Sequence, residues 1–477
     1  MVRTSNATSQ PTAAYRDPPR LPGLPLLGSA LDLRRDYLGT LLRAQATGAD
    51  VVRVDAGPPG WRTTMYTVFA PDGVERVLAN APDRLVRQTP GYVELRTTIG
   101  DGLVTSEGET WHRQRRLVAP AFTRRRLVPG YAEAVTREAA DVVTRWAPAA
   151  ASGEPVDAHT EMLGVTARVI GRVLFGTDVG DALPRLTRTA PFVNALLLRR
   201  SVTPHPSPRW VPTRTNRRLA AAAAEIREIV RDIVAQRSRE ADGAATGTPE
   251  GRRQANLLDL LLSARDGTAG TGGEPLSDDE VADQVLVFLL AGHETTATTL
   301  ACALVLLAQH PQWQEAVQHE VDAVVGARAV TGADVPALVQ TDHVVRETLR
   351  LYPAAHTVGR KAAHGEVLLG HRIPPGGNVL VSPWATQRSP ALWPHPHRFD
   401  PERFAAPNPG GTRYAWFPFG AGPHACIGAQ LAMLEATMVL GSLAQAYRFD
   451  TDLTDIPLLA GITLRPAAAL PIRLTAR

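Results

Sequence analysis

The 477-residue sequence predicts a mainly α-helical fold with a small β part, on three observations. Apolar residues recur at intervals of three and four from Tyr131 to Phe175 and from Leu219 to Arg239, the spacing of helices that bury one face. A longer apolar stretch, Val285–Leu290 continued by Leu300–Ala308, is interrupted by Gly292, His293, Glu294 and threonines, and reads as a helix buried inside protein. Strand-like alternation is confined to Val51–Ala70 and Val367–Val381.

In chain order, residues 1–17 are polar and read as a frayed tail, without the apolar centre of a signal peptide. Pro18 to Gly28 carries four prolines and forms a rigid lead-in to a helix marked by Leu38, Leu41 and Leu42. The alternating residues after Val51 predict a strand pair turning at Gly57-Pro58-Pro59-Gly60, and Pro71 opens a helix through Val74, Val77 and Leu78. Pro191–Pro212 holds an apolar patch, an arginine pair and five prolines; a mobile cover over a pocket and an ordinary surface connection both fit. Within Glu240–Ser277 only LLDLLLSA is helical in pattern, and its flanks read as exposed loops. Val367–Val381 predicts a hairpin turning at Pro374-Pro375-Gly376-Gly377. An irregular stretch follows, Pro383–Pro409, and then a final helix from about Ile427 to Tyr447. No repeat interrupts the chain, so residues 1–477 are expected to form one continuous domain.

Composition removes several classes. A net charge of +4 with 21% charged residues is unlike a disordered acidic tail or a nucleic-acid-binding arm. Two cysteines, Cys302 and Cys426, do not make a disulfide scaffold. Lys361 is the only lysine, and this arginine bias, with abundant Ala, Gly and Pro, reads as the product of a GC-rich bacterial genome. The apolar runs fall short of the roughly 20 residues of a membrane span, so no transmembrane anchor and a cytoplasmic location are expected.

The strongest local signal is Phe419-Gly420-Ala421-Gly422-Pro423-His424-Ala425-Cys426-Ile427-Gly428. Its glycines permit a tight path, and Cys426 falls just before a helix whose free N–H groups stabilise a thiolate, a good axial ligand for haem iron. The block resembles the haem-binding loop of the cytochrome P450 monooxygenases, which implies that fold, with Cys426 as the iron ligand of haem b. Further motifs match the same family. Glu347-Thr348-Leu349-Arg350 stands 76 residues before Cys426, and Arg403 in Pro401-Glu402-Arg403-Phe404 supplies the usual third partner. The resemblance gives Glu347, Arg350 and Arg403 a structural role. Ala291-Gly292-His293-Glu294-Thr295-Thr296 matches the segment that bends over the haem: Gly292 would leave room for dioxygen, and Glu294 and Thr295 would organise proton delivery. A zinc reading of His293-Glu294 fails, because Ala297 stands where a second histidine is required. Trp111 and Arg115, one helical turn apart, together with Arg360 and His424, are the implied propionate contacts. Ala291, Phe419, Gly420 and Gly428 complete the implied haem contacts.

By resemblance the pocket walls come from Arg87–Thr98, Phe192–Leu198, Leu290–Ala291 and Ala355–Val358, with Arg87, Val93, Leu198, Leu290, Ala355, His356 and Val358 as candidates. Mostly aliphatic walls favour a lipophilic substrate resembling those of bacterial terpene and fatty-acid oxidisers in secondary metabolism. Arg87 and His356 as polar anchors would instead suit a polyketide or macrolide tailoring hydroxylase or epoxidase. The basic run Arg113, Arg115, Arg116, Arg124, Arg125 and Arg126 fits a solvated face or the dock for an acidic electron carrier; nucleic acid is not an expected partner, since no aromatic platform accompanies it. No flavin or iron–sulfur module is fused, so electrons from NAD(P)H are expected through a separate ferredoxin and its reductase, with dioxygen as co-substrate. Isomerisation, ring coupling, peroxide-driven chemistry and a non-catalytic haem or ligand carrier stay open as rivals. Cys302 reads as a core residue.

Overall fold

The computed structural model describes residues 15–81, 83–123, 131–176, 183–203, 205–244, 256–265 and 275–477. Helices dominate, and the strands are β1 (Val51–Ala56), β2 (Thr63–Val68), β3 (Leu85–Val86), β4 (Val156–Asp157), β5 (Val358–Ala362), β6 (Glu366–Leu368), β7 (His371–Ile373), β8 (Asn378–Val381), β9 (Tyr447–Asp450), β10 (Leu458–Ala460), β11 (Leu464–Pro466) and β12 (Pro471–Ala476).

The organising element is the helix Asp278–Gln309. Ser277 starts it with a capping box: its hydroxyl accepts from the Glu280 N–H, and the Glu280 carboxylate accepts from the Ser277 N–H. Three acids in the first turn favour the positive end of the helix dipole. From Leu300 to Ala308 every residue is buried, so the helix is apolar all round there and lies between other helices. It is long and apolar enough to cross a membrane by length and composition, yet 78% of its most apolar window is buried inside the protein. The helix Ala158–Ile170 packs closely along it, and a Cβ on Gly292 would sit 2.8 Å from Ile170 Cδ1. A larger residue at 292 would therefore have to displace the end of the Ile170 side chain, a neighbour the sequence alone does not reveal. Thr166 Oγ1 donates to the His293 carbonyl at 2.8 Å and fixes the same contact.

The main sheet has the order β1-β2-β8-β5-β3. β1 and β2 are antiparallel, with Val51 opposite Val68 and Ala56 opposite Thr63; β2 and β8 run parallel from Met65–Asn378 to Val68–Val381. This joins the first and last thirds of the chain. The predicted hairpin of Val367–Val381 turns elsewhere: β6 and β7 pair around Leu369 and Gly370, both at positive φ, while Pro374–Gly377 sends the chain onward into β8. Alternation marked the strands correctly, but two turn-forming clusters lie close together and the proline-rich one was the more conspicuous.

Other expectations resolve similarly. The Tyr131–Phe175 region divides into helices Ala132–Ser152 and Ala158–Ile170, the second continued by a π turn over Gly171–Phe175. The segment after Pro191 is not a loop at first, because the helix Leu183–Val202 carries Pro191 in its interior. The LLDLLLSA pattern forms the helix Leu257–Arg265, while its flanks at 245–255 and 266–274, like residues 1–14 and Arg124–Arg126, lie outside the described residues. Arg16 already pairs with His371, so the frayed tail expected over residues 1–17 does not extend to Arg16. The final helix spans Ala429–Ala446, and β9 to β12 follow it, short strands that sequence patterning did not announce.

Cys302 is fully buried and desolvation pushes its thiol up to about 12, whereas Cys426 faces an internal cavity. Thiol labelling of the native protein is expected to leave Cys302 unmodified until denaturant is added; labelling at Cys302 under native conditions would contradict this packing.

Candidate active site

The loop before the last helix is shaped by two glycines with left-handed φ, Gly420 at +68° and Gly422 at +70°. A side chain on Gly422 would collide with the Leu78 carbonyl oxygen, so backbone meets backbone there. Gly420 N–H donates to Phe417 O at 3.0 Å and Cys426 N–H to Phe419 O at 2.9 Å, closing the loop on itself. Cys426 follows just ahead of helix Ala429–Ala446, where the N–H groups of Gly428 and Ala429 approach its sulfur. Burial pushes the thiol up, while those two N–H groups and Arg115 pull it down. The residue is accessible only in the sense that it opens onto the cavity; protein surrounds it on the other sides.

The loop is held from behind by a buried ion pair. Arg350 meets Glu347 through two contacts of 2.7 and 2.8 Å, both side chains fully excluded from solvent. The remaining guanidinium hydrogens go to the carbonyls of Gln387 (2.8 Å), Pro396 (2.7 Å) and Arg398 (3.1 Å). Arg403 stands 3.4 Å from Glu347, and the Asp400 N–H donates to the same carboxylate. Burial pushes the Glu347 carboxyl up, opposed by the Arg350 hydrogen bonds. Gln387, which sequence reasoning missed, joins this cluster to the loop: its amide donates to the carbonyls of Leu349 and Arg350 and its oxygen accepts from Phe417 N–H at 2.9 Å. No local pattern distinguishes it from any other glutamine.

A cavity of about 340 Å³ lies over the loop. Its wall includes Trp111, Arg115, Ala291, Gly292, Thr295, Arg360, Phe419, Gly420, His424, Cys426 and Gly428, all assigned to the site from sequence, with Arg87, Ala355 and Val358 of the pocket candidates. Leu103, Val104, Phe122, Ile170, Leu174, Val287 and Phe288 add apolar surface. Arg87, Arg115 and Arg360 bring three guanidiniums to this wall. His424 joins them, its ring 4.2 Å from that of Trp111. Burial first, and then the three arginines, push the His424 imidazole down to about 3, and its buried Nδ1 has no partner. Unsatisfied buried nitrogen beside three cations is costly unless anions arrive. The two carboxylates of a haem are such anions, and the cysteine-bearing loop is the matching thiolate donor, so the residues present fit haem.

Several sequence assignments move. Arg87 belongs to this cationic cluster and is already engaged by Glu107 and the carbonyls of Leu103, Val104 and Ser106, so it is not free to anchor a substrate. His356 is buried away from the cavity, with Nε2 2.7 Å from the Gly461 carbonyl. Val93 is exposed to solvent, and its neighbour Tyr92 lines the cavity instead. Leu198 packs in the cluster around Tyr37 and Leu38, and Leu290 in the main core. The resemblance gave the stretches of chain near the cavity but not which of their side chains face it: Val93, Leu198 and Leu290 lie on helices and point elsewhere, and His356 lies on an irregular segment.

Thr295 faces the cavity, and its hydroxyl donates to the Ala291 carbonyl at 2.7 Å. Glu294 is not part of the wall. Its carboxylate accepts from Asn194 Nδ2 at 3.2 Å and Thr463 Oγ1 at 3.1 Å, with Arg465 3.9 Å away. Asn194 Oδ1 in turn accepts from the Thr463 N–H, so helix Leu183–Val202, the long helix and the β10–β11 turn share one polar knot. Sequence reasoning also missed Glu435, the sole acid of the cavity wall among the described residues, which burial pushes up to about 8. Its signal was available: an acid within the apolar run Leu431–Leu440.

The family model for cytochrome P450 matches residues 18–467. Cyclooctatin synthase of Streptomyces melanosporofaciens is 37% identical over 89% of this chain and 88% of its own length. Cyclooctat-9-en-7-ol 5-monooxygenase of the same organism is 34% identical over 89% and 88%, and pentalenene oxygenase of Streptomyces avermitilis 32% over 95% and 96%. The chain belongs to the cytochrome P450 family. It is a haem-thiolate monooxygenase that uses dioxygen.

Removing the charge of Glu347 leaves Arg350 buried without its counter-ion. Glu347→Gln is expected to cost about 3 to 5 kcal/mol and to lower haem retention, read by urea unfolding and the haem-to-protein absorbance ratio; unchanged values would deny the brace. His356 is held at about 4, mainly by burial, against 6.5 when unfolded. Its contribution, about 3 kcal/mol by linkage, is complete above pH 6.5 and is lost as the pH falls towards 4. Urea midpoints between pH 7.5 and 4.5 should fall, and His356→Gln should remove one proton's worth of that slope.

Proposed function

We propose that this monooxygenase oxidises a lipophilic, terpene-like polycycle in bacterial secondary metabolism. The observation that carries the reading is the cavity over Cys426: an apolar wall with the hydroxyls of Tyr92, Thr295, Thr296 and Thr299, its cations gathered with Trp111 and His424 where haem carboxylates would bind. The similar proteins named for cyclooctatin and pentalenene support the same class. Polyketide or macrolide tailoring finds less support, because the two polar anchors it would use, Arg87 and His356, are taken by protein groups.

When bound, haem supplies dioxygen activation and the oxidising power. In our reading the chain supplies everything around that chemistry. Cys426 provides the thiolate, protected by the Gly428 and Ala429 N–H groups. Arg115, Arg360, His424 and Trp111 hold the carboxylate edge, with Arg87 adding positive potential. The Thr295 hydroxyl, resting on the Ala291 carbonyl, is the proton-bearing group on the wall. Glu294 holds its proton-exchanging carboxylate behind that wall, where Asn194 and Thr463 position it. Apolar walls exclude water and hold the substrate by contact. Electrons come from NAD(P)H through a separate ferredoxin and its reductase in the cytoplasm, with Arg116 on the exposed face of helix Gly108–Val118 available for docking; Arg113 is occupied by Glu280.

The reduced, carbon-monoxide difference spectrum tests the ligand: wild type should show the strongly red-shifted thiolate band, and Cys426→Ser should lose it. A terpene, fatty-acid and macrolactone panel titrated into the ferric protein tests the substrate class, terpenes being expected to change its absorbance spectrum and the other two classes to leave it unchanged. Thr295→Ala should divert reductant to peroxide, lowering product per NAD(P)H by about tenfold or more; tight coupling in the variant would remove Thr295 from proton delivery.

A further inference from the structure

Leu103 and Val104 face the cavity from residues 100–107, the irregular connection between helices Pro90–Ile99 and Gly108–Val118. Backbone outside helices and sheets still needs hydrogen-bond partners once it is buried, and two sets of side chains supply them here. One set is near in sequence: Arg87 donates to the carbonyls of Leu103 and Val104 at 3.2 and 3.0 Å, and Gln114 Nε2 to that of Asp101 at 2.8 Å. The other set lies far away, on the long helix. Asp283 Oδ2 accepts from the Asp101 N–H at 2.7 Å, and Gln284 Oε1 from the Leu103 N–H at 3.3 Å. Carbonyls are thus taken by one set and N–H groups by the other, which leaves the connection little freedom to slide.

Two glycines seat the connection on that helix. Gly100 has φ +84°, and a Cβ there would take the place of the Asp283 carboxylate. At Gly102 a Cβ would stand 2.9 Å from the Asp283 carbonyl oxygen, so backbone rests on backbone. Val287 and Phe288, one turn further along the helix, line the cavity, whereas Asp283 and Gln284 are not part of its wall. Gln284 is 1% exposed, and its Nε2 has no partner among the described residues. A buried amide satisfied on one side only costs stability. What its other side holds is the segment that bears Leu103 and Val104.

We propose that Asp283 and Gln284 are positioning residues for this monooxygenase: by gripping the N–H groups of Asp101 and Leu103 they set how far Leu103 and Val104 stand into the cavity, and hence which molecular shapes it accepts. The proposal rests on the cavity as the haem site, and not on which substrate is oxidised. The two residues act through the wall and touch no reacting atom.

Titration of the ferric holoenzyme with imidazole and with 4-phenylimidazole tests the proposal, since both ligate haem iron through nitrogen and are read by the shift of the Soret band. Imidazole needs little of the wall, whereas the phenyl group has to fit against it, so the ratio of the two dissociation constants reports where Leu103 and Val104 stand. Asp283→Ala with Gln284→Met removes both acceptors at little change of volume in the buried position. The ratio is expected to change by about tenfold or more in this variant, the worth of one apolar side-chain contact, with imidazole bound within about twofold of the parent. Asp283→Ala alone, at a half-buried position, should move the ratio a few-fold, and it carries the test if the double variant does not fold. Asp283→Asn keeps an oxygen for the Asp101 N–H and should restore the parent ratio. A ratio unaltered in the variants overturns the proposal, whether or not the melting temperature falls, as does an equal loss of affinity for both azoles. The cavity as haem site is read separately, from the thiolate band of the parent and its loss in Cys426→Ser, so the failure of one is not mistaken for the failure of the other.

Discussion

The burial of Arg350 is the constraint from which the architecture around the loop follows. A guanidinium excluded from water has to find an acceptor for each of its hydrogens, and the chain provides them from Glu347 and from the carbonyls of Gln387, Pro396 and Arg398. Those carbonyls belong to a proline-rich stretch with almost no secondary structure of its own, whose backbone would otherwise lack partners. One side chain thus orders a segment that cannot order itself. Gln387 passes the order on by gripping Phe417 at the entrance to the cysteine loop.

A second theme is the separation of charge from chemistry. The cations of the cavity wall gather with Trp111 and His424 where haem carboxylates fit, while hydrocarbon and hydroxyl groups line the rest. Such asymmetry orients a flat ligand with two acidic groups at one edge, and leaves the remaining volume weakly polar. Glu435 does not break this pattern, because its elevated affinity for protons keeps it neutral near pH 7.

Sequence reasoning reached what local chemistry records. The cysteine loop, the Glu347–Arg350 pair and the Gly292–Thr295 segment carry signals in a few adjacent residues, and all of the residues assigned to haem fall on one cavity wall. The strand pair β1–β2 and the long helix were equally legible, because a period of two and a sustained apolar run are hard to misread. What stayed hidden depends on partners far away in sequence. Gln387 and Asn194 gain meaning only beside Phe417 and Glu294, 30 and 100 residues distant. Arg87 and His356 looked like free polar groups because the carbonyls that occupy them belong to other segments. Of the strands after Ala446, β9 to β11 are only three or four residues long, too brief for alternation to register, and β12 pairs with β9 and with the distant β4.

The close approach of Gly422 to the Leu78 carbonyl has a consequence for biosynthesis. Gly422 follows Leu78 by 344 residues (422 − 78), and Trp111 and Cys426 are separated almost as widely. Contacts between chain segments this distant form late, after loop-closure entropy has been met. The pocket is consequently assembled only once the segment that carries Cys426 has emerged. Cofactor capture then waits for that segment, so chains truncated or stalled before it would be left without the means to retain a redox-active group.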